Sequence, residues 1–386
     1  MLSFSCLYST VLPLSSAVIY VMQNNILAGL IAYLLFDAPI PFSAPLSGGH
    51  WDAILREAKT QGVTAVTYDA ILLLPADLRP PRPQLFHLAS KAQTIEDDSE
   101  KLENALSHFA SEVFLQLGLE TLVVKGLSLA RLYPDPLHRE RGDNDLFTGP
   151  ATAQICSFME RQGHAVDRKD PRHWTFFFDD VEFECHTYLL YHHDDPRWPT
   201  VPFENRPHLR RLHTSYEAFF LAKHAEHNAV FFHKPLRLRT LVDWTLLLRQ
   251  PDFDIDLFRR AKAGSDVEVF ADLMSLYCNQ LFDVNLPLDH VALQHKHLDA
   301  EHFDCLYLKC PERHRFAVVR VARRSIKYLR YGRLYRAIYG QSMFRRFYLH
   351  NVAQALRNRF RHSVASDLQS SVASDLQSDA KYYKDF

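Results

Sequence analysis

The chain has no charged residue between Met1 and Phe36, no Cys-x-x-Cys pair, no His-Glu-x-x-His frame and almost no net charge. Each absence removes a class of answer. A formal charge of −1 over 386 residues supplies no global field to draw in nucleic acid or a membrane surface. The six cysteines (Cys6, Cys156, Cys185, Cys278, Cys305 and Cys310) are scattered, which argues for free thiols in a reducing compartment rather than a disulfide framework. Twenty-one histidines are present, yet none has the spacing of a zinc-protease helix.

The uncharged N-terminus also lacks what a targeting segment needs. "CLYSTVLPLSSAVIYVM" has no basic n-region and no small-residue cleavage site. Pro13 and the many Ser, Thr, Asn and Gln residues dilute it as a membrane span. We read residues 1–21 as an extension ahead of a translation start at Met22, with a membrane or export role and a packed helix as alternatives. From Met22 onward, "NNILAGLIAYLLF" reads as a first helix.

What is present is an ordinary globular composition, 47% hydrophobic and 23% charged, and enough length for two or three packed units. Residues 50–74 read as helix, stop at Gly62, and helix again. "LRPPRPQ" (78–84) reads as a break. In 99–119, Leu102, Leu106, Phe109, Val113, Phe114 and Leu117 form one apolar stripe that Gly118 ends. The period then changes. "ETLVVKG" (120–126) predicts a strand, "LSLARLY" a helix, "DNDLF" (143–147) a second strand and 150–164 a helix. "HWTFFFDD" and "VEFECHTYLL" (173–190) predict a hairpin turning at the Asp pair, and the pattern is helical from about 214. Residues 313–362 hold 13 Arg and one Lys with no Asp or Glu. They predict a helix with a cationic face, either solvated or facing an acidic ligand, RNA or anionic membrane. "SVASDLQS" then occurs twice in succession (363–378), inside what reads as a disordered tail. The expected units are an extension (1–21), an N-terminal helical segment (22–118), a catalytic core (119–200), a C-terminal helical domain with a basic end (201–362) and the tail (363–386).

The chemistry concentrates in "RERGDNDLF" (139–147). On a strand, alternate side chains share a face, so Asp143 and Asp145 project together from Cα atoms roughly 6.5 Å apart. Two such carboxylates suit one divalent ion, or a pair of ions that clamp the attacking and leaving oxygens of an in-line displacement. Upstream, "VVKGLSLA" puts Gly126 between a strand and a helix, where backbone N–H groups can meet phosphate. Ser128 is placed to add a hydroxyl there. Lys125 either meets phosphate charge or is turned away by the alternation. Downstream, "VEFECH" puts Glu182, Glu184 and His186 on one face, as a third ligand or as a base toward an attacking hydroxyl. Arg139 and Arg141 are read either as triphosphate contacts or as solvated surface residues. Without metal, repulsion between the aspartates predicts that neutralising either one is neutral or mildly stabilising to the fold.

"VVKGLSLARLYPDPLHRERGDNDLF…FECHTYL" resembles the nucleotidyltransferase (DNA polymerase β-like) superfamily. More closely, it is similar to a bacterial branch of uncharacterised nucleotidyltransferase family proteins, over roughly residues 25–250. The resemblance implies an α+β fold: a small mixed β-sheet nucleotidyltransferase core with flanking N- and C-terminal helical segments. It matches Gly126 to the turn glycine, and Asp143, Asp145 and Glu184 to the catalytic, metal-holding acids. His186 corresponds to the histidine beside the third acid and Arg139 to the arginine before the motif. His224 and His227 fall in a helical lysine-histidine segment, followed by Asp243. His224 and His227 read as core or substrate-side groups, and His186 as a partner that orients Glu184.

The implied activity is Mg²⁺-dependent transfer of a nucleoside monophosphate from an NTP to an acceptor hydroxyl, with pyrophosphate leaving and Mn²⁺ as a substitute ion. Gly126, Ser128, Lys125 and Arg139 would hold the NTP. The acceptor is expected to be a small molecule rather than protein or tRNA, with no DNA or membrane partner, in the cytoplasm. Two positions depart from the family pattern: Asn144 replaces an aliphatic residue and Leu127 replaces Gly or Ser. They motivate the alternative of a non-catalytic nucleotide-binding or interaction protein on the same fold.

Overall fold

A computed structural model describes residues 26–169, 172–189, 198–230, 234–308 and 330–340. The expectations for residues 1–21, for the tail and for most of the basic stretch 313–362 lie outside the described residues. Among the described residues, no helix is long and apolar enough to cross a membrane.

The chain enters through α1 (26–35), whose Leu27, Leu30 and Ile31 are buried. Next come α2 (Gly48–Gln61), capped by the Ser47 hydroxyl and ended by left-handed Gly62, and α3 (Thr64–Leu73). The proline-rich stretch separates α3 from the next helix, as expected, but its last residues already belong to that helix. α4 (Arg82–Phe109) carries Pro81 at its cap and Pro83 in its first turn, where a missing N–H is no loss. The predicted helix over 99–119 is the second half of α4. It continues through a wide π turn (Ala110–Phe114) into a last turn, α5 (Leu115–Leu117). That turn lets Val113 and Phe114 both face the core, with Phe109 packed edge-on against Phe114 at 5.0 Å.

A mixed seven-stranded sheet follows, in the order β3-β4-β5-β2-β1-β7-β6. Its strands are β1 (Thr121–Val123), β2 (Asn144–Phe147), β3 (Val166–Asp167), β4 (His173–Phe178), β5 (Val181–His186), β6 (Thr200–Pro202) and β7 (Leu209–Leu212). β2 lies centrally, antiparallel to β1 and parallel to β5. The β4–β5 hairpin turns at Asp179 and Asp180, both left-handed, as a two-residue turn between twisted strands requires. The sheet does not stop at residue 200: β7 pairs parallel with β1, and β6 extends the edge. Between strands run α6 (Gly126–Ala130) and α7 (Thr152–Arg161). The C-terminal part holds α8 (Thr214–Val230), α9 (Leu238–Leu248), α10 (Ile255–Lys262) and α11 (Glu268–Phe282).

One sheet face is sealed by α4, the π turn and α7 through Leu106, Phe109, Phe114, Ile155 and Met159 against Val123, Leu146, Phe176 and Phe183. On the other face, Phe220 of α8 packs on Leu122, Val124 and Leu212, over the β1–β7 side. The N-terminal and C-terminal helices, which sequence patterning separates, share one core: Leu30, Trp51 and Ile71 lie in the same cluster as Trp244, Phe270 and Phe303. Cys156, Cys185 and Cys278 are buried free thiols.

A buried histidine fastens the N-terminal helices to the sheet. His138 meets Asp69 of α3 at 2.7 Å through Nδ1 and Glu96 of α4 at 2.6 Å through Nε2. Burial opposes its protonation, but the two carboxylates prevail and lift its pKa to about 9. Its folded-state value thus exceeds its unfolded one, so its stabilisation is whole below about pH 6.5 and is lost as pH rises through about 9. In denaturant titrations, wild type is expected to lose up to about 3 kcal/mol more than His138→Gln between those limits. Parallel pH profiles for the two proteins would refute the clamp.

Candidate active site

The alternation that sends Leu146 and Phe183 into the core sends Asp145 and Glu184 to the opposite face. β2 and β5 pair in register, Asp145 opposite Glu184, so two acids distant in sequence become cross-strand neighbours. His186, two residues along β5, turns its Nε2 to Asp145 Oδ1 at 2.8 Å and lies 3.4 Å from Glu184. Ligand atoms of Asp145, Glu184 and His186 all fall within 4.8 Å of one another. Two carboxylate oxygens and an imidazole nitrogen at that spacing suit a divalent cation. His186 is bonded to Asp145 more closely than to Glu184, which it was expected to orient.

Asp143 lies just ahead of β2 and outside that close set. Burial, then the charges of Asp145 and Glu184, push its carboxyl up to about 6. Asp145 goes the other way. Burial works to raise it, but Lys125, with Nζ 2.6 Å from Oδ1, and the His186 bond hold it well below the usual carboxylate range. The two aspartates are therefore not equivalent. Lys125 is turned toward the acids, not away.

The glycine turn differs from its expected form. The left-handed residue is Lys125 (φ 57°, ψ −118°), and Gly126 opens a helix of only five residues. A Cβ on Gly126 would meet the Asp143 carbonyl at 3.6 Å, ordinary contact, so chain packing alone does not require glycine there. Ser128 is fully buried with Glu217 of α8 beside it. Arg139 is buried as well: its guanidinium grips Asp243 of α9 through two bonds of 2.8 Å and donates to the Gly126 carbonyl at 3.1 Å. Tyr133 adds a third bond to Asp243. Arg141 is drawn inward to Glu103 at 2.7 Å and to the Ser99 carbonyl. Both arginines brace the site from behind. Neither of the roles offered for them, triphosphate contact or solvated surface, matches these positions.

The two departures from the family pattern point away from the acids. Asn144 is buried, its amide donating to the Leu102 carbonyl of α4 at 3.0 Å, and Leu127 packs among the residues under the sheet.

Helix α8 closes the far side. One turn beyond Phe220, His224 stacks on that ring, with centroids 6.3 Å apart and planes 8° apart. Its Nε2 accepts from the Asn228 amide at 2.9 Å. Burial, then the charge of Lys125, lowers its pKa to about 3 and keeps the ring neutral. His224 is thus a site-side group. His227 lies on the same helix, half-buried, and Lys223 pairs with Asp266. One residue escaped the sequence reading: His173 on β4, whose ring lies 5.3 Å from that of His186 and whose Nε2 is 3.9 Å from Glu184. The two-residue turn at Asp179 and Asp180 held the signal, since counting back from it places 173 opposite 186.

Acids paired across neighbouring parallel strands of a mixed sheet, beside the Lys125-Gly126 turn, are the arrangement that the nucleotidyltransferase resemblance implies for a transferase of that class. The chain belongs to the uncharacterised nucleotidyltransferase family, whose model matches residues 47–283, from the start of α2 to the end of α11. No curated protein and no solved structure matches the chain.

Proposed function

We propose that the protein moves a nucleoside monophosphate from an NTP to the hydroxyl of a small acceptor, dependent on Mg²⁺ or, in its place, Mn²⁺. The observation that carries this reading is the cross-strand pair Asp145–Glu184, gathered with His186 inside 4.8 Å. Asp145 and Glu184, with Asp143 beside them, would hold the ion, whose chemistry is to polarise phosphoryl oxygens and offset their charge. Lys125 meets the triphosphate. The acceptor oxygen forms a bond to the α-phosphorus, and the bond to the bridging oxygen of pyrophosphate breaks. Pyrophosphate leaves with that electron pair, and Glu184 takes the acceptor's proton. His224 presents a neutral ring from the α8 side to whatever lies over the acids. We place the reaction in the cytoplasm.

Titration with each NTP in the presence of Mg²⁺, coupled to pyrophosphate release over a panel of acceptors, tests the proposal. The expected result is metal-dependent NTP binding and pyrophosphate release with at least one acceptor, whose mass rises by one nucleoside monophosphate. NTP binding without turnover across the panel would favour a non-catalytic binding protein. No response to Mg²⁺ or Mn²⁺, with or without NTP, would end the metal reading and the enzyme reading together.

A further inference from the structure

We infer that Lys125 is a built-in counter-ion that makes metal and nucleotide load together, an inference that rests on the nucleotidyl-transfer reading above. Asp145 is 5% exposed, and its Oδ1 accepts from both Lys125 Nζ at 2.6 Å and His186 Nε2 at 2.8 Å. The carboxylate that a cation needs is therefore already engaged by an ammonium group. This placement is enforced by the backbone. Lys125 adopts φ 57° and ψ −118°, a region that disfavours any residue with a Cβ and that glycine would occupy freely. Just before it, the Val124 amide donates to the Asp145 carbonyl at 3.1 Å, locking the strand end to β2. Strain at a lysine whose side chain ends on the central acid marks a position where the charge matters more than backbone comfort.

A divalent ion among Asp145, Glu184 and His186 would sit a few ångström from that ammonium. Like charges so close repel by more than the equivalent of about tenfold in affinity, even at the screening typical of protein surfaces. The ammonium must therefore leave Oδ1 when metal enters. Its four-carbon stem lets it swing, and its side chain is 22% exposed. In water alone it would lose its ion pair. With a triphosphate present it gains phosphate oxygens in exchange. The nucleotide thus relieves the conflict between lysine and metal, and by linkage each ligand tightens the other. Metal alone should bind weakly.

The test is Mn²⁺ binding to the full chain, read from the spectrum of free Mn²⁺, for wild type, Lys125→Gln and Lys125→Arg. Lys125→Gln is expected to bind Mn²⁺ alone about tenfold tighter than wild type, a change of about 1.4 kcal/mol. Lys125→Arg keeps the charge and should stay as weak as wild type, which separates charge from any general loosening. In wild type, Mn²⁺ with α,β-methylene ATP should raise the melting temperature by more than the two ligands do singly, and in Lys125→Gln that excess should vanish. Equal Mn²⁺ affinity in wild type and Lys125→Gln, or tightening in Lys125→Arg, overturns the counter-ion role and leaves the nucleotidyl-transfer reading standing. An equal excess in wild type and Lys125→Gln overturns the coupling. Absence of Mn²⁺ binding in all three proteins, with and without the analogue, overturns both.

Discussion

Asp145→Asn should abolish every metal-dependent response and also weaken the metal-free protein, whereas Asp143→Asn should leave the metal-free protein as stable as wild type or more so. The asymmetry follows from the partners. Asp145 holds Lys125 and His186, so removing its charge strands an ammonium group and an imidazole in a half-buried setting. Breaking a paired, buried charge leaves its partner uncompensated, and a loss of about 1–3 kcal/mol is expected. Among the described residues, Asp143 has no such partner to lose. Its carboxyl is lifted to about 6 by burial and by its acidic neighbours, so its charged form is a burden on the fold near neutral pH. That burden is relieved as pH falls through about 6, and Asp143→Asn removes it at any pH. Asp145 has the opposite sign: its contribution is present above the unfolded carboxylate range and disappears only in acid. Melting curves in EDTA and in Mn²⁺, at pH 5 and pH 7.5, separate the two variants. Equal metal-free stability of Asp143→Asn and Asp145→Asn would sink the account. Patterning alone treats the aspartates as interchangeable and predicts that neutralising either is harmless. The pairing of Asp145 with Lys125 and His186 revises that for Asp145.

The largest loss of stability is expected from Arg139→Ala. Its guanidinium is 6% exposed and holds Asp243 by two parallel bonds, with Tyr133 on the same carboxylate. Removal leaves Asp243 buried and unpaired, at a cost of about 3–5 kcal/mol. In melting temperature this is on the order of 10 °C. The Gly126 carbonyl loses its donor at the same time, so the turn that carries Lys125 loosens. Pairing Arg139→Met with Asp243→Leu removes both charges and should be less damaging than either single charge removal, because no ion remains buried alone. Tyr133 keeps an unmet hydroxyl in that double variant, so recovery is partial. A mild effect of Arg139→Ala, within about 0.5 kcal/mol, would return Arg139 to the surface role that sequence allows it.

The parts of the site legible in sequence are those set by local periodicity. "GDND" and "VEFECH" show which side chains share a strand face, and the Asp pair at 179–180 fixes the hairpin register. The core strands follow from the same alternation, whereas the α+β class comes with the family resemblance. What sequence could not show depends on partners distant along the chain. Arg139 is buried because Asp243 lies on α9, and Arg141 because Glu103 lies on α4. No local pattern separates such arginines from phosphate-binding ones. β6 and β7 escaped for a related reason: "TVP" and "LRRL" have no alternation of their own and become strands through pairing with β1. The start of α4 was hidden because prolines end helices in their interior but begin them at the first turn.

Asn144 changes what the acidic motif means when it is met elsewhere. Its side chain leaves the sheet on the side opposite the acids and spends its amide on a carbonyl of α4. The middle letter of "DND" therefore records how a helix is docked beneath the strand, and an apolar or an amide residue can serve that purpose. On the proposed function, the chemistry belongs to the outer two letters. A search pattern that demands an aliphatic centre would pass over chains whose acid-bearing strands are paired just as they are here, and would mistake a difference in upholstery for a lost activity.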